Sequence, residues 1–285
     1  MKTNARFASS SSVATVRCAL VALIPLLAGV GSAFAQKLET IALYDFSDPA
    51  NLFKDTSGKN NNLSNPASGV TRSTEHSSAA STDYSACFDG TLPTAANRQI
   101  NFSPYTALTF DWHMKADPAD FLGDITTRML IQTAWQEDVS GAVSVYIQNA
   151  SESIILRVVH RMSSGWAWAS FLLPDLSSWN NYTLTIDNSK TGNDHISLLI
   201  NGDSRTAVPG STSYTATVAG SFVSASQYTF LGNNNAKNRP FKGYLQNFEI
   251  YSGTPTPAPV PEPAMTAVLA GLATGLLVLF IHRRR

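Results

Sequence analysis

Along residues 108–115 apolar and polar side chains alternate strictly: Leu108, Phe110, Trp112 and Met114 interleave with Thr109, Asp111, His113 and Lys115. A period of two puts one set on each face of an extended chain, so the segment predicts a strand with one buried and one wet face. Tyr182, Leu184 and Ile186 alternate with Thr183, Thr185 and Asp187 in the same way, and Ile196, Leu198 and Ile200 continue to Asn201-Gly202. Asn-Gly after such a run is a strong hairpin signal, because both residues accept positive φ. Further strands are predicted at 143–148, 153–161, 166–173, 227–231 and 243–251, with Asn, Gly, Ser and Pro in the gaps. No stretch of the body sustains a helical period. Residues 36–251 therefore predict one all-β domain, an antiparallel sandwich large enough to bury a good core.

The two ends are patterned differently. Lys2, Arg6 and Arg17 precede the apolar run Ala19 to Val30, and Ala33-Phe34-Ala35 supplies the small-x-small site of a signal peptidase. Residues 1–35 thus predict a secretory signal peptide, with Ala33 and Ala35 setting cleavage before Gln36. Cys18 comes before the apolar run, which argues against a lipoprotein signal. Residues 252–263 carry five prolines and predict a stiff, extended linker. Ala264 to Ile281 is then uncharged throughout, and at about 1.5 Å per residue it just spans a hydrocarbon core as one transmembrane helix. His282-Arg283-Arg284-Arg285 follows as a basic tail, 282–285, that holds its side in the cytoplasm and leaves the body facing outward.

Charge and cysteine content sharpen this picture. The twenty Lys and Arg balance the twenty Asp and Glu, but six of the basic residues lie in the first 17 positions and the last three. The chain between them holds fourteen basic against twenty acidic residues, a net −6, with no basic footprint for nucleic acid. Cys18 leaves with the signal, so the mature chain has Cys87 alone and no internal disulfide; its apolar neighbours Ala86 and Phe88 predict a buried packing thiol.

Val260-Pro261-Glu262-Pro263, then a spanning segment, then a terminal Arg cluster, resembles the PEP-CTERM sorting signal. The resemblance implies an exosortase, a membrane cysteine protease, that cuts near the motif and releases or re-attaches the protein outside. The chain would be held transiently in the inner membrane, then reach the cell surface or extracellular matrix.

The body resembles the LamG, concanavalin A-like jelly-roll family. Tyr44-Asp45-Phe46 with Asp55-Thr56-Ser57-Gly58, Phe88-Asp89-Gly90, and the strand Leu108 to Lys115 carry the likeness in its first half. Trp179 to Tyr182, Leu199 to Gly202, Phe230-Leu231-Gly232 and Phe241 to Tyr251 carry it in the second. Many relatives hold a structural calcium with an Asp where this chain has Gln246. A hard cation prefers charged oxygens, so Gln246 weakens that expectation. Asp45 and Asp55 remain as calcium ligands or as turn formers.

Catalytic patterns are missing. Laminarinase-type relatives display acids along one strand as E-x-D-x-E, and no such string occurs; Glu137-Asp138 precedes Ser140-Gly141 and reads as a turn. His76, His113, His160 and His195 have no close metal-ligand spacing, and no G-x-S-x-G, P-loop or dinucleotide fingerprint exists. The expectation is a non-enzymatic binder of polysaccharide or another surface glycan, against a structural or adhesive matrix component or, more remotely, a glycosidase. Trp135, Trp166 and Trp168, with Asn233, Asn234 and Asn235, are the candidate sugar contacts, because sugars are held by flat aromatic faces flanked by amides. The same residues also read as core and turn. Trp112 and Trp179 are assigned to the core.

Overall fold

The computed structural model describes residues 38–255, apart from positions 67, 81, 92–95, 123–126, 151–152, 217–219 and 225. The expected signal peptide, sorting motif, transmembrane helix and basic tail lie outside the described residues. Among those described, no helix is long and apolar enough to cross a membrane.

The described chain, a compact unit over Leu38–Pro255, is built of strands. They are β1 (Thr40–Tyr44), β2 (Val70–Ser73), β3 (Ser85–Asp89), β4 (Ala96–Gln99), β5 (Ala107–Lys115), β6 (Thr127–Gln132), β7 (Val143–Ala150) and β8 (Ser153–Met162). There follow β9 (Gly165–Leu172), β10 (Asn180–Asp187), β11 (Ile196–Ile200), β12 (Asp203–Arg205), β13 (Thr212–Tyr214), β14 (Tyr228–Leu231) and β15 (Lys242–Ser252). One sheet runs β12-β11-β10-β5-β15-β3-β2, with β1 also paired to β15; the other runs β13-β9-β8-β7-β6-β14-β4. Neighbouring strands are antiparallel, so the fold is the two-sheet sandwich that the alternation predicts.

The core lies where the inward residues of both sheets meet. Trp112 on β5 stacks on Tyr182 of β10 at 5.4 Å and on Phe248 of β15 at 6.0 Å. Phe46, Phe53, Phe88 and Phe241 form an edge-to-face chain with centroids 5.5–6.2 Å apart. Each such pair adds about 0.5–1.5 kcal/mol beyond area burial. Asn201 and Gly202 turn the β11–β12 hairpin with φ of 55° and 84°, the pairing that an Asn-Gly turn needs.

Two expectations for the core need correction. Trp179 precedes β10 with the parity of Asn181 and Thr183, so it faces outward, half-buried, against Tyr244 at 6.1 Å. Cys87 sits between inward Ala86 and Phe88 and so also faces out; it is half-buried beside Thr71 and Tyr244. Partial burial holds its thiol above the ordinary range, so it stays protonated.

Gln246 is fully buried and ties the 77–82 loop to β15: its carbonyl oxygen accepts from the Ser77 amide at 2.7 Å, and its Nε2 donates to the Thr82 carbonyl. The left-handed Asn247 (φ 48°) opens a bulge next to it in the β15–β5 ladder. Asp45 Oδ1 accepts from the Ser47 amide and hydroxyl, and Asp55 accepts from the amides of Leu43, Ser57 and Asn61. N–H and O–H donors thus engage Asp45 Oδ1, both Asp55 oxygens and the Gln246 carbonyl oxygen, which act here as turn and loop ties. Among the described residues no group of three or more His, Cys, Asp or Glu could hold a metal ion. Gln246→Leu should leave the Ser77 amide buried without an acceptor and lower the unfolding free energy by about 1–3 kcal/mol. Urea denaturation checks this; an unchanged midpoint would mean that the amide does not hold the loop.

Candidate functional site

β8 and β9 form a tight hairpin in which Met162 pairs with Gly165 and Arg161 with Trp166. Ala167, Ala169 and Phe171 point into the core, so Trp166 and Trp168 stand together on the outer face of their sheet, half-exposed. The Arg161 guanidinium lies 4.4 Å over the Trp166 ring, and that of Arg157 lies 4.2 Å over Trp168.

Trp135 reaches the same face from the β6–β7 connection. It is 51% exposed, and its indole packs against Tyr228 and Phe230 of β14 at 5.9 and 6.3 Å. The third wall is the loop after Gly232. The fully buried Asn233 uses its Oδ1 to accept from the amides of Asn234 (2.9 Å) and Arg239 (3.0 Å), which closes the loop on itself. Asn234 Nδ2 donates to Asn238 Oδ1 at 2.8 Å, and the Asn235 amide donates to Gln132 Oε1 at 3.3 Å. Arg239 forms an ion pair with Glu137 and lies 6.0 Å over the Tyr146 ring.

These walls enclose a cleft of about 390 Å³ lined by Gln132, Trp135, Gln136, Glu137, Asp138, Trp166 and Asn234 to Ala236. The cleft therefore gathers Trp135, Trp166, Asn234 and Asn235. Trp168 stands beside it along β9. Asn233 is a correction: it lies under the loop as a turn former. None of the three tryptophans belongs to the core. The sequence reading missed Gln132, Arg157, Arg161 and Arg239. Arg161 alone left a signal, since it lies five positions before Trp166 across a two-residue turn.

An open cleft that brings two indoles together with amides and carboxylates can hold a flat polar molecule with one apolar face. A second, larger recess of about 750 Å³ runs between the β11–β12 hairpin and the 206–210 loop. Its lining is mostly hydroxyl, charged and aliphatic, and Phe171 at the core is its one aromatic.

A buried histidine pair lies apart from both. His160 Nδ1 and His195 Nε2 are 2.9 Å apart with coplanar rings, and they join β8 of one sheet to the short 3₁₀ turn before β11 of the other. Burial, then the neighbouring His195, pushes the His160 pKa down to about 3, and burial lowers that of His195 as well.

No family model and no curated protein matches the chain. Solved structures do resemble it. Domain 4 of AbnA, a GH43 extracellular arabinanase from Geobacillus stearothermophilus in complex with arabinotriose, aligns with a TM-score of 0.52 and 17% identity. The alignment covers 78% of this chain and 96% of that one. The botulinum neurotoxin serotype G binding domain aligns with a TM-score of 0.55 and 11% identity, covering 76% of this chain and 48% of that structure. This chain thus spans about half of the neurotoxin domain. The likenesses define its class as an antiparallel, jelly-roll-type β-sandwich.

Proposed function

We propose that the chain is an exported, non-catalytic carbohydrate-binding domain, sorted to the cell surface or matrix by exosortase processing of its C-terminal tail. The observation that carries the binding reading is the placement of Trp135 and Trp166 on one cleft with the accessible amides of Gln136 and Asn235. The arabinanase domain was solved with arabinotriose, and a sugar-binding role agrees with that architecture. Glu137 is held by Arg239 and adjoins Asp138 in sequence, an arrangement that suits sugar hydroxyls better than a pair of acids across a glycosidic bond.

Calorimetric titration of the full chain against a polysaccharide and oligosaccharide panel tests the binding reading. Trp135→Ala should weaken the bound glycan by at least about tenfold and lower the thermal midpoint only modestly, because the indole is half-exposed although it packs on Tyr228 and Phe230. A flat titration across the panel would defeat it. Leu122 and Leu172, 66% and 55% exposed, favour a second reading as an adhesive matrix component with protein contacts.

The sorting proposal rests on Val260-Pro261-Glu262-Pro263 and the basic terminus. Mature protein in the native host should lack Arg285, and changing Pro261, Glu262 and Pro263 to Ala should block that loss. Mass spectrometry that finds Arg285 retained would overturn it.

A further inference from the structure

We infer that the glycan is an acidic polysaccharide, held by its carboxylates along the Arg157–Trp168 and Arg161–Trp166 strip beside the cleft; this rests on the glycan-binding reading above. The two sheets differ in charge. The strands of the tryptophan-bearing sheet contain Arg98, Arg128, Arg157 and Arg161 and no Asp or Glu. Those of the other sheet contain Asp89, Asp111, Asp187, Asp203 and Glu249 beside their own basic residues. In a chain whose body is net acidic, that separation leaves a local cationic face.

Of the four arginines, Arg128 is fully engaged and Arg98 makes one long hydrogen bond. Arg128 donates to the Asp120 and Pro240 carbonyls, and Arg98 reaches the Asn62 carbonyl. Arg157 and Arg161 are set apart by the indoles beneath their guanidinium groups. Among the described residues neither forms an ion pair, although Arg239 nearby does, with Glu137. Arg161 uses one Nη1 hydrogen bond to the Gly165 carbonyl at 3.3 Å, and Arg157 Nε is buried without an acceptor. A guanidinium lying over an indole can present its terminal N–H groups to a carboxylate; Arg157 Nε is too deep to take part, so its Nη groups are the ones that would meet the ligand.

Trp166 and Trp168 are two residues apart on one strand, about 6.8 Å, so the strip repeats aromatic face and cation along its length. Trp166 also lines the cleft, so one polymer chain can seat a sugar there and continue over the strip. Asp138 faces the cleft and meets hydroxyls, while the charged groups of the polymer lie over the arginines.

The test uses the full chain with polygalacturonate, its carboxyl-reduced neutral product and a neutral glucan. Polygalacturonate should bind; carboxyl reduction, or raising salt from about 0.05 to about 0.5 M, should weaken it several-fold. Arg157→Gln with Arg161→Gln should lower its affinity about tenfold. Arg157→Lys with Arg161→Lys should recover part of that loss, which a purely structural role would not show, and circular dichroism reports that each variant is folded. Neutral polymers that bind as well as polygalacturonate would overturn the inference and leave the glycan reading standing. Binding to none would overturn both. Equal binding of single-stranded DNA would mark a general polyanion surface and also overturn it.

Discussion

Below about pH 6.5 the protein should lose stability steadily, by about 1.4 kcal/mol per pH unit for each histidine that stays neutral when folded. The main cause is the His160–His195 pair; His113, whose pKa burial also lowers, acts in the same direction. At 2.9 Å one imidazole N–H donates to the bare nitrogen of the other, so the two rings cannot both be protonated, and burial keeps the donor ring neutral as well. Burial, then the neighbouring His195, holds His160 down at about 3, and burial depresses His195 too. In the unfolded chain both rings take up protons near their ordinary value of about 6.5. The unfolded state therefore binds more protons below that pH, and the stabilisation is full above it and lost on the way down towards pH 3. Asp48, Asp55 and Asp175 act in a separate window. Their hydrogen bonds hold them below the usual 3.8, so their contribution is present above that value and falls away beneath it. Urea midpoints measured at steps from pH 7 to 4.5 should fall continuously, and replacing His160 and His195 by Gln should remove most of the slope, leaving the share of His113. A wild-type midpoint unchanged across that range would show that the pair does not sit neutral in the core.

Gly232→Ala should be the most damaging small substitution near the cleft, costing about 2–4 kcal/mol. Gly232 has a φ of 82°, and an added Cβ would come within 2.2 Å of Phe88 Cε1 and 2.7 Å of Cδ1. Phe88 is packed between Phe53 and Phe241 and cannot retreat. The same residue opens the loop that carries Asn234 and Asn235; its amide donates to Leu130 and its carbonyl accepts from Phe241, each at 2.8 Å. Loss of stability should therefore come with loss of glycan affinity. Gly202→Ala is the control, since its φ is 84° but nothing lies within 4 Å of the added Cβ. It should cost only the backbone strain, about 1 kcal/mol. Equal thermal shifts for the two variants would show that Phe88 gives way.

Most of the sandwich was legible because its central strands alternate strictly. β5, β10 and β11 each present one apolar face, and Asn201-Gly202 marked the hairpin. β2, β12 and β13 were not legible: they are short, lie at sheet edges and bury little, so alternation has nothing to record. β6 was hidden by the continuous run Met129-Leu130-Ile131, where a register shift interrupts the pairing. Of the site, the shared face of Trp166 and Trp168 followed from their spacing alone. Their neighbour Trp135 could not be placed, since it meets the cleft only through β14. Three consecutive asparagines looked alike, yet folding buries Asn233, commits the amide of the largely buried Asn234 to Asn238 and leaves Asn235 half-exposed at the cleft. The histidine pair, 35 residues apart, has no sequence signature at all.

The most direct test of glycan binding in the cleft is to follow the indole N–H signals of the five tryptophans by NMR while oligogalacturonides and neutral oligosaccharides are added to the full chain. The signals of Trp135 and Trp166 should move with saturable binding, Trp168 should follow when the ligand is long enough to leave the cleft, and buried Trp112 should stay still. Saturable binding that leaves Trp135 and Trp166 unmoved would place the sugar elsewhere and contradict the account.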